Sequence, residues 1–129
     1  MSRTHSETLM GDYRKMQVWQ RSRVVHRRVK ALVRTLPRNV QLGIGDQLER
    51  AAESIRLALV EGAGLNSDPQ LAKYLSTALG SANEVQEALD MLDEDGQLPE
   101  GDRDLIPEMT EIRAMLASFH RRVSKRKRN

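Results

Sequence analysis

The sequence predicts an all-α protein, specifically an up-and-down antiparallel four-helix bundle. Apolar residues recur at three- and four-residue intervals in four separate stretches, which is the spacing of amphipathic helices. No stretch shows the sustained alternation of apolar and polar residues that a half-buried strand requires. The connections between the stretches are short, so consecutive helices are expected to be antiparallel neighbours. With 129 residues, the chain fits one domain with one core.

The first helix is predicted from about Tyr13 to Leu36, where Pro37 ends it. Its core seam advances in steps of four and three residues, as in helical bundles. The seam consists of Val18, Ser22, Val25, Val29, Leu32 and Leu36. The opposite side of this helix carries cations about one turn apart. This row, the basic ladder, consists of Arg23, Arg27, Lys30, Arg34 and Arg38.

The second helix is predicted to begin at Asp46, whose carboxylate can cap free N–H groups. Glu49, three residues later, completes a pair that resembles a capping box. Gly62 and Gly64 are predicted to end the helix in left-handed conformations. Its core positions are Leu48, Ala51, Ala52, Ile55 and Leu59.

The third helix is predicted to follow Ser67, an N-cap with a proline shortly after it. Its interior Gly80 costs about 1 kcal/mol relative to alanine, which a close contact with another helix would explain. The fourth helix follows a loop over residues 95–101, has Pro107 in its first turn and ends at Val123. The core positions of the third helix are Leu71, Leu75, Ala78, Ala82, Val85, Leu89 and Leu92, and those of the fourth are Leu105, Met109, Ile112, Leu116, Phe119 and Val123.

Three parts follow from this pattern: a flexible arm over 1–12, the bundle over 13–123 and a disordered basic tail over 124–129. The net charge is +3, but the local balance is +8 over residues 1–38, −12 over 39–112 and +7 over 113–129. The chain has no cysteine, and its first residues contain no apolar run of signal-peptide length. We therefore expect a cytoplasmic protein that has no membrane span.

The central segment contains the most recognisable residues. It reads Gln47-Leu48-x-Arg50-Ala51-Ala52-x-Ser54-Ile55, then Glu61-Gly62, then Leu75-x-x-Ala78-Leu79-Gly80-Ser81-x-x-Glu84. It resembles the four-helix-bundle proteins of the 23S rRNA intervening-sequence family, which includes the accessory variability determinant proteins of diversity-generating retroelements. Looser matches at 18–20 and 111–116 extend the resemblance over most of residues 16–120. The chain departs from the family pattern at Arg56 and Ala58, where the family usually carries Pro and Asn.

The resemblance implies a barrel-like homo-oligomer, a homopentamer, without catalytic residues or cofactors. For the retroelement members it also implies binding to nucleic acid and to a reverse transcriptase. Independently of the family, Trp19 near the end of one bundle indicates spare apolar surface that a second copy would cover.

Cations at both ends of the chain favour DNA or RNA as a partner, because contacts with phosphates need only Lys and Arg at sufficient density. The start of the first helix and the end of the fourth meet at one end of such a bundle, so the two groups can form one surface. The predicted binding residues are the basic ladder together with Arg121, Arg122, Lys125, Arg126, Lys127 and Arg128. The alternative is an oligomeric protein-interaction scaffold whose basic face docks acidic protein surfaces, including those of its own subunits.

Two ion pairs are predicted between the second and third helices. Antiparallel packing around a turn near residue 67 places Arg50 level with Glu84 and Glu61 level with Lys73. Glu61 and Glu84 could suggest acid/base catalysis, but no nucleophile or positioned histidine accompanies them, so we expect no enzyme activity. The three histidines lack ligands at helical spacing, so we expect no metal site.

Overall fold

The computed structural model describes residues 12–65 and 67–126, and four long helices dominate them. They are α1 (Gln17–Arg34), α2 (Asp46–Ala63), α3 (Asp68–Glu94) and α4 (Leu105–Arg126). The described part of the chain contains no strand. The predicted all-α, four-helix architecture is therefore confirmed. The predicted arm, apart from Asp12, and the last three residues of the predicted tail lie outside the described residues.

The predicted seam buries α1 against the rest of the bundle. All of its residues are buried, and the Ser22 hydroxyl donates to the Val18 carbonyl oxygen at 2.7 Å. The helix starts later than predicted, because Met16 has extended backbone with ψ 118°. A short 3₁₀ turn, Tyr13–Lys15, precedes it. The seam thus fixes which side of α1 faces outward.

The start of α2 corrects the sequence prediction. After Pro37 the chain forms a helical turn over Arg38–Val40 and a π-helical segment over Gln41–Gly45 that is kinked at Gly43, where φ −100° and ψ −106° are not helical. Gly45, directly before Asp46, has helical backbone. Asp46 therefore follows residues that are themselves helical, and its carboxylate makes no capping bond. The predicted N-cap is wrong because the helical path begins upstream of Asp46.

The loop between α2 and α3 differs from the prediction at its glycines. Gly62 lies inside α2, and a Cβ atom there would come within 3.0 Å of the Leu71 side chain. Gly64 has φ −81°, so neither glycine ends the helix in a left-handed conformation as predicted. A close approach of α3 explains the glycine at 62. Ser67 caps α3 as predicted, accepting a hydrogen bond from the Gln70 N–H at 3.2 Å.

The antiparallel register of α2 and α3 agrees with the prediction, but the Arg50–Glu84 ion pair does not form. The Ser81 hydroxyl donates to the Ser54 hydroxyl oxygen at 2.7 Å, which sets the two helices level. Arg50 instead lies 3.4 Å from Asp46, one turn earlier on its own helix. A partner in the same helix is within reach, so Arg50 need not extend across the groove.

The second predicted ion pair, Glu61 with Lys73, is also absent. The Glu61 carboxylate hydrogen-bonds the Tyr74 hydroxyl instead, and this bond is the main reason that the pKa of Tyr74 is raised. Tyr74 belongs to the start of α3, and its Cβ would lie 3.2 Å from a Cβ atom at Gly62 of α2. The Tyr74 hydroxyl therefore takes the place that the prediction gave to the Lys73 ammonium group.

The end of α4 corrects the predicted domain boundary. Pro107 lies in the first turn as predicted, but the helix continues to Arg126 rather than ending at Val123. The Arg126 Nε donates to Asp68 Oδ2 at 3.2 Å, and both side chains are about four-fifths buried. This contact ties the last turn of α4 to the first turn of α3. The tail therefore does not begin at 124.

The core is aliphatic and runs the length of the bundle. Among neighbouring helices, the α2–α3 and α3–α4 pairs have the most extensive contact and the α1–α4 pair has the least. The largest fully buried side chains include Leu32, Leu48, Ile55, Leu59, Leu75, Leu89, Leu105, Met109 and Leu116. None of the helices described between residues 12 and 126 is long and apolar enough to cross a membrane.

Candidate nucleic-acid interface

The basic ladder lies on the outer face of α1. Arg27, Lys30 and Arg34 are exposed, and Arg23 is half-buried. None of the ladder side chains forms a salt bridge with another described residue. Arg38 is exposed but follows Pro37, so it belongs to the next helical turn and not to the α1 face. From Arg23 to Arg34 the row is about 16 Å long.

The other two arginines in the middle of α1 have a different role. Arg21 holds Glu108 through two hydrogen bonds, at 2.6 and 2.9 Å, and Arg28 holds Asp104 at 2.6 Å. The Arg28 guanidinium lowers the pKa of the Asp104 carboxyl, chiefly through this hydrogen bond. These pairs join α1 to the start of α4. The contrast with the ladder indicates that structural pairing uses only one side of α1.

The cations at the end of α4 are partly engaged within the chain. Arg121 and Lys125 are exposed, and the Arg122 guanidinium donates to the Ser118 hydroxyl at 2.8 Å and lies over the Phe119 ring at 5.6 Å. Arg126, which was predicted to bind nucleic acid as part of the tail, is instead held by its salt bridge with Asp68. Lys127 and Arg128 lie outside the described residues. Arg121 and Lys125 are therefore the freest cations at this end.

The ladder and the α4 cations are offset along the bundle. The start of α1 does meet the end of α4, and a cavity of about 540 Å³ between them is lined by Lys15, Met16, Phe119 and Arg122. The ladder, however, runs away from this end. Since Arg21 bonds to Glu108, Arg121 lies about 20 Å further along α4 than the level where the ladder begins. A ligand must be extended, like a polynucleotide, to touch both groups.

A polar contact behind the ladder was missed by the sequence analysis. The Arg56 Nη1 lies 3.0 Å from His26 Nδ1, and its guanidinium lies 5.5 Å from the centre of the Trp19 ring. Trp19 in turn meets the Tyr13 ring edge-on at 5.0 Å. We call Trp19, His26 and Arg56 the α1–α2 node. It fixes the two helices together beneath the ladder.

The surroundings of His26 in the node determine its protonation state and its hydrogen-bonding role. Burial lowers the pKa of the His26 imidazole first, and the Arg56 guanidinium lowers it further, so His26 is neutral at pH 7. An arginine only donates, so His26 Nδ1 must accept, which leaves the proton on Nε2. The Trp19 Nε1 is buried with no hydrogen-bond partner among the described residues. His26 is thus a structural acceptor.

Trp19 is only partly buried, and part of its ring is occupied within the chain, by the Tyr13 ring edge-on and by the Arg56 guanidinium. Among the described residues, the exposed large apolar side chains are Val24, Leu42, Leu57 and Met91. No group of three or more His, Asp or Glu residues in the described ranges is arranged to hold a metal ion.

Together these features define the class of protein: a four-helix bundle with an unpaired row of cations on one outer face. Residues 14–118 match the family model described as 23S rRNA-intervening sequence protein. The chain belongs to this family. No curated protein matches the sequence.

Proposed function

We propose that this chain is a cytoplasmic, non-enzymatic nucleic-acid-binding accessory protein that works as a homo-oligomer. The observation that carries the proposal is the basic ladder itself. Its cations are unpaired within the described residues, whereas Arg21 and Arg28 on the same helix are held by carboxylates. Unpaired guanidinium and ammonium groups in a row are suited to a polyanion.

Recognition of the polyanion has little sequence preference in this proposal. The ladder presents only Arg and Lys side chains on a convex helix surface, and the nearby Trp19 ring is covered by Arg56. Contacts with phosphates position a protein on nucleic acid without reading bases. DNA and RNA are therefore both ligands, and affinity falls as salt rises.

Oligomerisation would raise the overall affinity for a polynucleotide, although each single contact stays weak. Several ladders that engage one polynucleotide raise the effective concentration of the remaining sites. The apolar side chains of Leu57 and Met91 support assembly, since the two residues are 52% and 41% exposed in the described chain. The resemblance to accessory variability determinants supports a pentamer as the oligomer. It also supports a reverse transcriptase as the protein partner.

Two double variants with the same change of charge test the proposal. Arg27→Gln/Lys30→Gln removes one arginine and one lysine from the ladder, and Arg50→Gln/Lys73→Gln removes the same two residue types from the α2–α3 side. All four side chains are exposed. Fluorescence anisotropy with a labelled duplex DNA and a labelled RNA should give weaker binding to both for the ladder variant only.

Equal weakening by both double variants would mean that net charge, and not the ladder, governs binding. If the wild-type protein binds neither polymer and the ladder variant loses its oligomeric state, the ladder docks subunits, as in the scaffold alternative. Either result would contradict the proposed function.

A further inference from the structure

The cavity between the start of α1 and the end of α4 has the size and lining of a ligand site. Its volume of about 540 Å³ is within the range of pockets that hold small organic groups. α1 and α4 have the least extensive contact of the neighbouring helices, which leaves this space open. We call it the end cavity. Its apolar lining consists of Met16, Val18, Ala114, Met115 and Phe119.

Contacts within the chain hold the walls of the end cavity in place. Met16 and Phe119 are buried, so they form its floor. The Arg21 Nη1 donates to the Met115 Sδ at 3.5 Å, which fixes one wall. The Arg122 guanidinium lies over the Phe119 ring at 5.6 Å, which fixes the other. A preformed apolar wall reduces the ordering cost of binding and gives a flat ring a surface to contact.

Cations lie on both sides of the end cavity. Lys15, on the turn before α1, is exposed and lies 3.8 Å from Asp12. On α4, Arg122 lines the cavity, and Lys125 follows three residues later on the same side of the helix. Both are exposed, and neither forms a salt bridge with another described residue. An anionic chain that crosses the cavity therefore meets positive charge on each side.

The polar groups of the end cavity suit a nucleobase better than a hydrocarbon chain. The Gln17 amide and the Ser118 hydroxyl line it together with the apolar floor. Glu111 lines it as well, at the edge shared with a neighbouring cavity that contains Arg21. Amide, hydroxyl and carboxylate groups can hydrogen-bond the edges of an unpaired base. An alkyl chain makes no hydrogen bond with any of them.

We propose that the end cavity receives one unpaired base of single-stranded DNA or RNA, and that Lys15 and Arg122 bind the phosphates on either side of that base. This inference rests on the proposed nucleic-acid function and adds a substrate class, namely strands with unpaired bases. A duplex keeps its bases paired and stacked, and removing one costs free energy. The ladder contacts phosphates of either form. From Lys15 to Arg23, where the ladder begins, the chain rises about 12 Å, so one strand can reach both.

Two labelled single strands of equal length test the base contact, one with bases and one with abasic sites throughout. They carry the same phosphates. In fluorescence anisotropy, the wild-type protein should bind the strand with bases about tenfold more tightly, the size of effect that contact between a base and a protein wall produces.

Ala114→Phe fills the end cavity, so it should remove this difference and leave the affinity for the abasic strand unchanged. The matched control Ala31→Phe places the same ring on another exposed alanine, which does not line the cavity, and should keep the difference. Circular dichroism should show the wild-type helix content for both variants, because both sites are on the outside of a helix.

The inference is wrong if the wild-type protein binds the two strands equally, or if Ala114→Phe keeps the preference for bases. Equal binding that the ladder variant Arg27→Gln/Lys30→Gln still weakens would refute the base contact alone and leave the proposed function intact. A preference for bases in a protein whose ladder variant binds as tightly as the wild type would contradict the role of the ladder and support the end cavity. A wild-type protein that binds neither strand would refute both.

Discussion

Replacement of Arg56 by alanine should destabilise the bundle by about 2 to 3 kcal/mol at neutral pH. The hydrogen bond from its charged guanidinium to His26, at 3.0 Å, contributes about 1.5 to 2 kcal/mol for a half-buried group. The contact with the Trp19 ring, at 5.5 Å, adds about 0.5 to 1 kcal/mol. The variant also leaves the buried His26 Nδ1 without its partner, which places the expected loss toward the upper value.

Urea denaturation followed by far-UV circular dichroism measures this loss. The fluorescence of Trp19 reports the node separately, because it is the single tryptophan of the chain. Arg50→Ala is the matched control, since Arg50 is on the same helix but is exposed and pairs only with Asp46 at 3.4 Å. Its loss should be about 0 to 1 kcal/mol. If the two variants are equally stable, the node does not hold α1 to α2 and the reasoning is wrong.

Three further predictions concern stability. The pKa of His26 is lowered by burial and by Arg56, so the unfolded chain binds the proton more readily and stability is lost as pH falls below about 6.5. Urea unfolding should therefore show a larger loss of stability on acidification for the wild type than for His26→Gln. Equal losses would refute this. Leu89→Ala, at a fully buried site, should cost about 2 to 5 kcal/mol in thermal unfolding, and a cost under about 1 kcal/mol would contradict its place in the core. Arg126→Ala should cost about 1 to 3 kcal/mol and remove amide-exchange protection from the last turn of α4, whereas unchanged protection would mean that the Asp68 contact does not order that turn.

Sequence periodicity predicted the fold because burial in a bundle is a local, repeating property. The seam predicted from Val18 to Leu36 is buried throughout, and so is the predicted core row of α4 from Leu105 to Val123. Arg21 and Arg28 differ from the other cations of α1 because they form salt bridges. Their partners, Glu108 and Asp104, lie at the start of α4, and no local sequence pattern identifies them. Periodicity separates the inner from the outer side of a helix but does not choose ion-pair partners.

The errors in α2 and α3 have a common cause. The predicted cap at Asp46 and the predicted pair of Arg50 with Glu84 were both inferred from spacing. Gly45, directly before Asp46, already has helical backbone, so Asp46 does not stand at the N-cap position and its carboxylate pairs with Arg50. The register itself was right, since Ser54 meets Ser81, but register does not decide which side chains extend far enough to bond.

The α1–α2 node could not be derived from a local pattern, because His26 and Arg56 are thirty residues apart. One signal was available: Arg56 replaces the proline that the family usually carries, and a long cation there needs a partner. Likewise the ladder was recognised from helical spacing, but its offset from the α4 cations follows from the Arg21–Glu108 contact. Helical spacing therefore identifies which cations of α1 are exposed, but it does not give their position relative to the cations of α4.

The salt dependence of binding tests the central claim most directly, namely that the ladder contacts phosphates. The variant with Arg23, Arg27, Lys30 and Arg34 all replaced by Gln should remain folded and oligomeric, and its affinity for duplex DNA and RNA should fall alike. Each lost phosphate contact flattens the slope of log K against log salt by about 0.9 on duplex DNA, so the expected change is up to about 3.6 per subunit. An unchanged slope in a folded, oligomeric variant would contradict the claim. Arg121→Gln/Lys125→Gln, which changes two exposed side chains and keeps the Arg126–Asp68 salt bridge, would then show whether the α4 cations bind instead.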